Sequence, residues 1–297
     1  MMMQSFAHAN LERPVEWVAT PSPRLRPYVD AYCGFIIPAW RPINFGQRSA
    51  PSGSVFLQFV FGADQVHETK YAYKPDGAVI NRPKQAIILP KRVSWRIMLD
   101  GATDIVLVKL KAGMAAPFLD LSLTELNAWE NTNDIWSSST NEQVSSLQLL
   151  SVQDRIQIIE QVLLQRLAQS ALAVDQTVNQ ALALIQKARG GVEIQNLADQ
   201  LNISSRQLRR KFQHYVGLTP KQYSDIERFR YANHLMKQRP NMSLTDVAHH
   251  AGYFDLAHFT HTIQEISGLP PSQMSEIDQQ ALQVQKQDSD FISLRVV

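Results

Sequence analysis

Between residues 194 and 271 the order of apolar and polar positions occurs twice. Ile194, Leu197, Ala198 and Leu201 fall at i, i+3, i+4 and i+7, and Leu244, Val247, Ala248 and Ala251 repeat those intervals. Such spacing gathers the apolar side chains into one stripe of a short helix buried on one side. In each copy a tight turn follows, then a second amphipathic run, with Leu208 and Phe212 in the first and Phe259 and Ile263 in the second. Both copies close on Gly-Leu-x-Pro, at 217–220 and 268–271. A small residue, Ala198 or Ala248, stands where the two helices would cross, as in a helix-turn-helix. Gly252 occupies the turn position that needs positive φ; Asn202 holds the matching place in the first copy and tolerates that conformation. A stacked array of helical hairpins would need more than two copies.

The same pattern predicts the elements around the tandem. Val178, Ala181, Leu182 and Ile185 make one face of a helix over 175–189, stopped by Gly190 and Gly191. Ser204 and Gln207 are spaced as a capping box for the second helix of copy one. Thr219 and Gln222, with Pro220 at the first helical position, open a long helix to about residue 238, which Pro240 and Asn241 end. Ser243 caps the first helix of copy two, and 272–280 is expected as a last helix. The tail from Gln285 is polar, then apolar at 291–294, and fits no assigned element.

Upstream, as far as about Gly113, the pattern is that of short strands. Residues 55–61 are β-branched and aromatic and read as a buried strand; 86–89, 93–99 and 105–110 read as three more, with turn residues such as Pro51, Ser52 and Gly53 between such runs. That spacing predicts a small barrel or sandwich. Over 144–172 the helical period returns as a helix pair whose stripe, including Ile156, Ile159, Leu163 and Leu167, is either core or a homodimer seam. The expected fold class is α+β: a β-rich sensor- or dimerisation-like domain over 1–172, an all-α domain over 173–282 with two helix-turn-helix units joined by a long helix, and a tail over 283–297.

Charge sharpens this picture. The net charge of +2 hides a segregation: 191–240 holds 9 Lys/Arg and 4 Asp/Glu, whereas 241–297 holds 2 and 7. A basic patch is therefore confined to copy one and the helix after it. The single cysteine, Cys33, excludes an intramolecular disulfide and a Cys-rich zinc site. No run of 18 apolar residues and no signal-peptide core occurs, so a soluble, cytoplasmic protein without membrane contact is expected.

Catalytic signals are missing. His8 and His67 are the only histidines of 1–190, and neither a phosphate loop nor a nucleophile elbow is present. Trp17, Tyr28, Tyr32, Trp40, Tyr71, Tyr73 and Trp95 include candidates for a ligand pocket, though most are expected as packing. No cofactor, metal or catalytic residue is assigned, and the chain is read as a non-enzyme.

The tandem resembles the DNA-binding domain of the AraC/XylS transcription regulators. The resemblance rests on Leu197-Ala198, Leu208 to Phe212, Gly217-Leu218-Thr219-Pro220 with Tyr223, Arg228 and Ala232, Val247-Ala248, Ala251-Gly252-Tyr253, His258-Phe259 and Gly268-Leu269-Pro270-Pro271. Residues 21–29, 51–53 and 109–136 are similar to a sensor type of that family. Departures lie in copy two, where Ala257, His261, Ile263 and Gln264 stand in place of the usual Ser, Arg, Phe and Lys. The resemblance implies double-stranded DNA as partner, with a small-molecule effector, RNA polymerase and a second copy of the chain as further candidates.

With Leu208 and Phe212 facing the core, Arg206, Arg210 and Gln213 take the opposite side of their helix and Arg209 its flank. A major groove admits one helix, and arginine reads guanine through two parallel hydrogen bonds. The DNA-binding set is thus Ser205, Arg206, Arg209, Arg210, Lys211 and Gln213 in copy one, and Leu256, Ala257, Thr260, His261 and Gln264 in copy two. Lys211, Lys221 and Arg230 are expected on phosphates. Copy two offers a methyl group and an imidazole where copy one has Arg206 and Arg210, so copy one is expected to dominate. Two other readings stay open. One is a constitutive DNA-binding protein without effector. The other is a repair alkyl acceptor, which would need an activated cysteine; Cys33 has no charged sequence neighbour.

Overall fold

The computed structural model describes residues 15–37, 45–49, 51–61, 65–70, 79–82, 85–93, 95–100, 103–126, 147, 150–274 and 292–296. Ten strands occur among them: β1 (Val15–Ala19), β2 (Val29–Ile37), β3 (Phe45–Ser49), β4 (Val55–Phe61), β5 (Gln65–Lys70), β6 (Val79–Arg82), β7 (Gln85–Ile88), β8 (Trp95–Asp100), β9 (Thr103–Leu110) and β10 (Ile292–Val296). They form two open sheets, ordered β10-β1-β2-β9-β4-β7 and β3-β8-β5-β6, rather than one closed barrel. Apart from the parallel β1–β10 pair, the ladders are antiparallel.

In β4 and β9 only Phe56 and Lys109 are less than buried. Both strands lie inside the larger sheet with both faces covered, so they read as continuous apolar runs instead of alternating ones. The tail that fitted no element supplies β10, an edge strand beside β1.

Three helices follow β9: α1 (Ala116–Leu119), α2 (Leu123–Leu126) and α3 (Val152–Gln169). The stripe of α3 is core: Ile156, Ile159 and Leu163 are buried with Trp17, Tyr32, Leu57 and Val108, and Leu167 packs against them. No apolar seam of α3 is left to support the homodimer inferred from it. Only one helix of the expected pair is seen; most of 144–151 lies outside the described residues. Glu160 ties α3 to the sheet, accepting from the Ser22 N–H at 2.8 Å and the Tyr32 hydroxyl at 3.1 Å.

The remaining helices are α4 (Gln176–Lys187), α5 (Ile194–Gln200), α6 (Ser205–Val216), α7 (Pro220–Gln238), α8 (Leu244–His250) and α9 (Leu256–Ser267). They build two separate cores. Val178, Leu182, Ile185, Leu197, Leu208 and Phe212 close one with Tyr223 and Ile226 of α7. Val247, Phe259 and Ile263 close the other with Phe229, Ala232 and Leu235 of the same helix. Because each half of α7 serves a different core, its buried residues do not keep to one stripe. Of the expected last helix, the turn at 271–274 is helical and Met274 enters the second core; the rest lies outside the described residues. Among the described residues no helix is long and apolar enough to cross a membrane.

The β-rich part touches both helical units. Leu123 of α2 lies under Gly217, whose Cβ, if present, would be 3.4 Å from Leu123 Cβ. Arg92, after β7, donates to Glu265 of α9 at 2.9 Å and stands 3.9 Å from Asp225 of α7. Gly53 abuts the Tyr223 ring so closely that a Cβ there would meet Cε2 at 2.2 Å. Gly53→Ala must therefore displace the ring, and overpacking of this kind costs about 1–3 kcal/mol. Thermal unfolding of the full chain is expected to show the loss; an unchanged Tm would mean the two surfaces are not in contact.

Candidate nucleic-acid interface

Local hydrogen bonding sets the start of each outer helix. Ser204 accepts from the Gln207 N–H at 3.2 Å and its own N–H donates to Gln207 Oε1 at 2.9 Å, the reciprocal box that opens α6. Thr219 and Gln222 repeat it for α7. Asp255 caps α9 by accepting from the His258 N–H at 2.7 Å. Asn202 (φ 54°) and Gly252 (φ 74°) hold equivalent left-handed turn positions, as their sequence places required.

With Leu208, Phe212 and Val216 fully buried, α6 presents Arg206, Arg209, Arg210 and Gln213 to solvent. None of the three arginines has a carboxylate partner among the described residues. The three cations expected on phosphates are placed differently. Lys211 pairs with Asp175, Lys221 with Asp225 at 3.0 Å, and Arg230 with Glu227 at 3.0 Å. Ser205 is half-buried, its hydroxyl donating to Gln195 Oε1 at 2.7 Å. Free positive charge on this face is therefore concentrated in three neighbouring guanidinium groups.

Asp175 also caps α4, accepting from the Val178 N–H at 3.0 Å. Partial burial pushes its carboxyl up, but the bonds from Lys211 and from the α4 N–H groups outweigh this and leave it below its ordinary 3.8. A carboxyl held low adds stability in full above that ordinary value, and the gain is lost as pH falls through the lower folded value. Lys211→Ala is accordingly expected to lower the Tm of the chain at pH 7 while leaving the salt dependence of DNA binding unchanged. A flattened salt slope at constant Tm would instead place Lys211 on the DNA backbone.

Copy two has the same frame and a different surface. Phe259, Ile263 and Ile266 are buried, whereas Leu256, Ala257, His261 and Gln264 are exposed and Thr260 is half-buried. His261 Nδ1 lies 3.8 Å from Glu265, the carboxylate that also receives Arg92. No lysine or arginine stands on α9.

Arg228, matched in sequence without an assigned role, joins the two units. Its Nη2 donates to the Gly190 carbonyl at 3.0 Å, on the first unit. Its guanidinium carbon lies 5.4 Å from the centre of the Tyr253 ring, on the second. Nothing in the local pattern signals this contact, because both partners come from outside α7.

The candidate pocket aromatics are described only in part. Trp17 and Tyr32 are core and Tyr28 packs against it; Trp40, Tyr71, Tyr73 and His8 lie outside the described residues. A cleft of about 650 Å³ opens elsewhere, between the ends of β2, β4 and β9 and the helices α4 and α7, lined among others by Asp30, Phe56, Lys109, Tyr223 and Arg230. Cys33 is half-buried, and burial pushes its thiol up to about 11; nearby Lys109 opposes the shift while Glu16 and Asp30 add to it. A thiol so shifted is poorly suited to the thiolate chemistry of an alkyl acceptor. Among the described residues no His, Cys, Asp and Glu group could hold a metal ion.

Comparison with known proteins bears on the same stretch. Residues 197–276 match the family model of a helix-turn-helix domain. The transcriptional regulator GbdR of Pseudomonas aeruginosa is 36% identical over 80 residues, which are 27% of this chain and 22% of that protein. The transcriptional activator RhaS of Escherichia coli O157:H7 is 39% identical over 64 residues, 22% of this chain and 23% of its own. The chain thus spans less than a quarter of the length of these relatives. Among solved structures, ToxT from Vibrio cholerae O395 aligns over 89% of this chain and 96% of its own, with 12% identity and a TM-score of 0.41. Over this stretch, with its paired helix-turn-helix units on one connecting helix, the chain is similar to the helix-turn-helix domains of these transcription regulators.

Proposed function

We propose that the chain is a sequence-specific DNA-binding transcription regulator in which residues 1–172 sense and residues 173–282 bind. The observation that carries this reading is the exposed guanidinium trio of Arg206, Arg209 and Arg210 opposite the α6 core, without a carboxylate partner among the described residues. Laid in a major groove, α6 brings Arg206 and Arg210 to guanine O6 and N7 and Gln213 to adenine, while Arg209 takes a phosphate. The outer face of α9, with Ala257, Thr260, His261 and Gln264, enters the next groove, about one helical turn or roughly 34 Å away. One chain carries both units, so binding needs no second copy.

An effector is assigned to the cleft above α4 and α7, because a small molecule there touches Tyr223, Glu227 and Arg230 on the helix that spaces the two units. Whether transcription rises or falls then depends on where the bound site lies relative to RNA polymerase.

Footprinting of the full chain on DNA, with titrations at increasing salt, tests the reading. A protected site covering two successive major grooves is expected. Affinity should fall steeply with salt, each phosphate contact contributing about 0.9 to the logarithmic slope. A chain that binds all duplexes alike, or none, sinks the proposal.

A further inference from the structure

Phe254 is 91% exposed, the most exposed large hydrophobic side chain among the described residues. It occupies the turn between α8 and α9, next to the Asp255 cap, and its neighbours Leu256 (40% exposed) and Ala257 open the first turn of α9 on the solvent side. None of the three belongs to the second core, although Tyr253 and Phe259 on either side of them do. Large apolar groups left in water at one end of a helix mark a contact surface.

The position of this group says what it meets. It continues the outer face of α9 toward the N-terminal end, where a reading helix comes closest to base edges. Electrostatics offers copy two little, since α9 has no lysine or arginine and 241–297 holds 7 Asp/Glu against 2 Lys/Arg. DNA presents one apolar group in its major groove, the C5-methyl of thymine.

We propose that Phe254, Leu256 and Ala257 form an apolar reading patch for thymine methyl groups, so that copy two selects bases by methyl contact rather than by hydrogen bonding. The inference rests on the DNA-binding reading above and adds the specificity of its second half.

The test uses duplexes selected by the full chain from a randomised library. The half-site whose preference survives Arg210→Ala belongs to copy two. Thymines in that half are then replaced by 2′-deoxyuridine, which removes the methyl groups and preserves pairing. Binding is expected to weaken about three- to tenfold, and about twofold at most for the same change in the other half. Phe254→Ser, which leaves the cores untouched, is expected to cost a similar factor on the thymine duplex and to make uracil nearly neutral. A chain that enriches sequences but tolerates uracil, or a Phe254→Ser variant with wild-type affinity, overturns the patch alone. A chain that enriches no sequence overturns the DNA-binding reading and the patch together.

Discussion

Replacing Arg206 and Arg210 together by alanine is expected to abolish most sequence-specific binding while leaving the protein folded. Both side chains are exposed and neither is paired among the described residues, so their removal strands no buried partner there. Each bidentate contact to guanine is worth about 1–3 kcal/mol, and losing both should cost tens- to a thousandfold or more in affinity. Each single variant should relax the preference at one position of the site, which selection from a randomised library would reveal. His261→Ala is the matched control from copy two. At pH 7.5 it should cost less than Arg210→Ala on the same duplex, because His261 replaces a permanent cation and has Glu265 within 3.8 Å. A larger loss for His261→Ala would reverse the order of the two copies.

The largest effect on stability is expected at Asp104→Ala. Asp104 and Arg155 form an ion pair in which both side chains are nearly inaccessible, at 2% and 4%. Arg155 also donates through Nε to the Leu147 carbonyl at 2.7 Å and lies 4.7 Å over the Phe61 ring. Removing the carboxylate leaves a guanidinium in the core, a change that costs about 3–5 kcal/mol. For a unit of this size that lowers Tm by roughly 6–20 °C. The double variant Asp104→Leu/Arg155→Met removes both charges and should recover much of the loss, since a buried pair barely exceeds an apolar replacement in net worth. Equal Tm values for Asp104→Ala and the parent would show that the pair is solvated.

How far each feature could be read in advance depends on how local its cause is. Helices α4 to α9 were legible because caps, left-handed turns and buried stripes are all decided within a turn or two of chain. Ser204 with Gln207, Asn202 and Gly252 are examples, and each sits as expected. The exposed side of α6 followed from the same geometry. Strands were legible only where both faces are covered and the run is continuous, as in β4 and β9. β5, with Gln65, His67 and Glu68 beside Val66, carries no such run and exists through its pairing with β6 and β8.

The sequence by itself determined the paired helix-turn-helix units, their connecting helix and the asymmetry of charge between the copies, all of which follow from residue type and short-range spacing. Tertiary structure alone decided which cations are free. Lys211 looked as available as Arg210 until Asp175 arrived from 36 residues away to hold it. Likewise Arg92 reaches Glu265 across 173 residues, Arg228 spans two cores, and the tail adds an edge strand to a sheet begun at the other end of the chain. Pairings of that kind depend on where the folded chain brings distant groups together, and no local period encodes them.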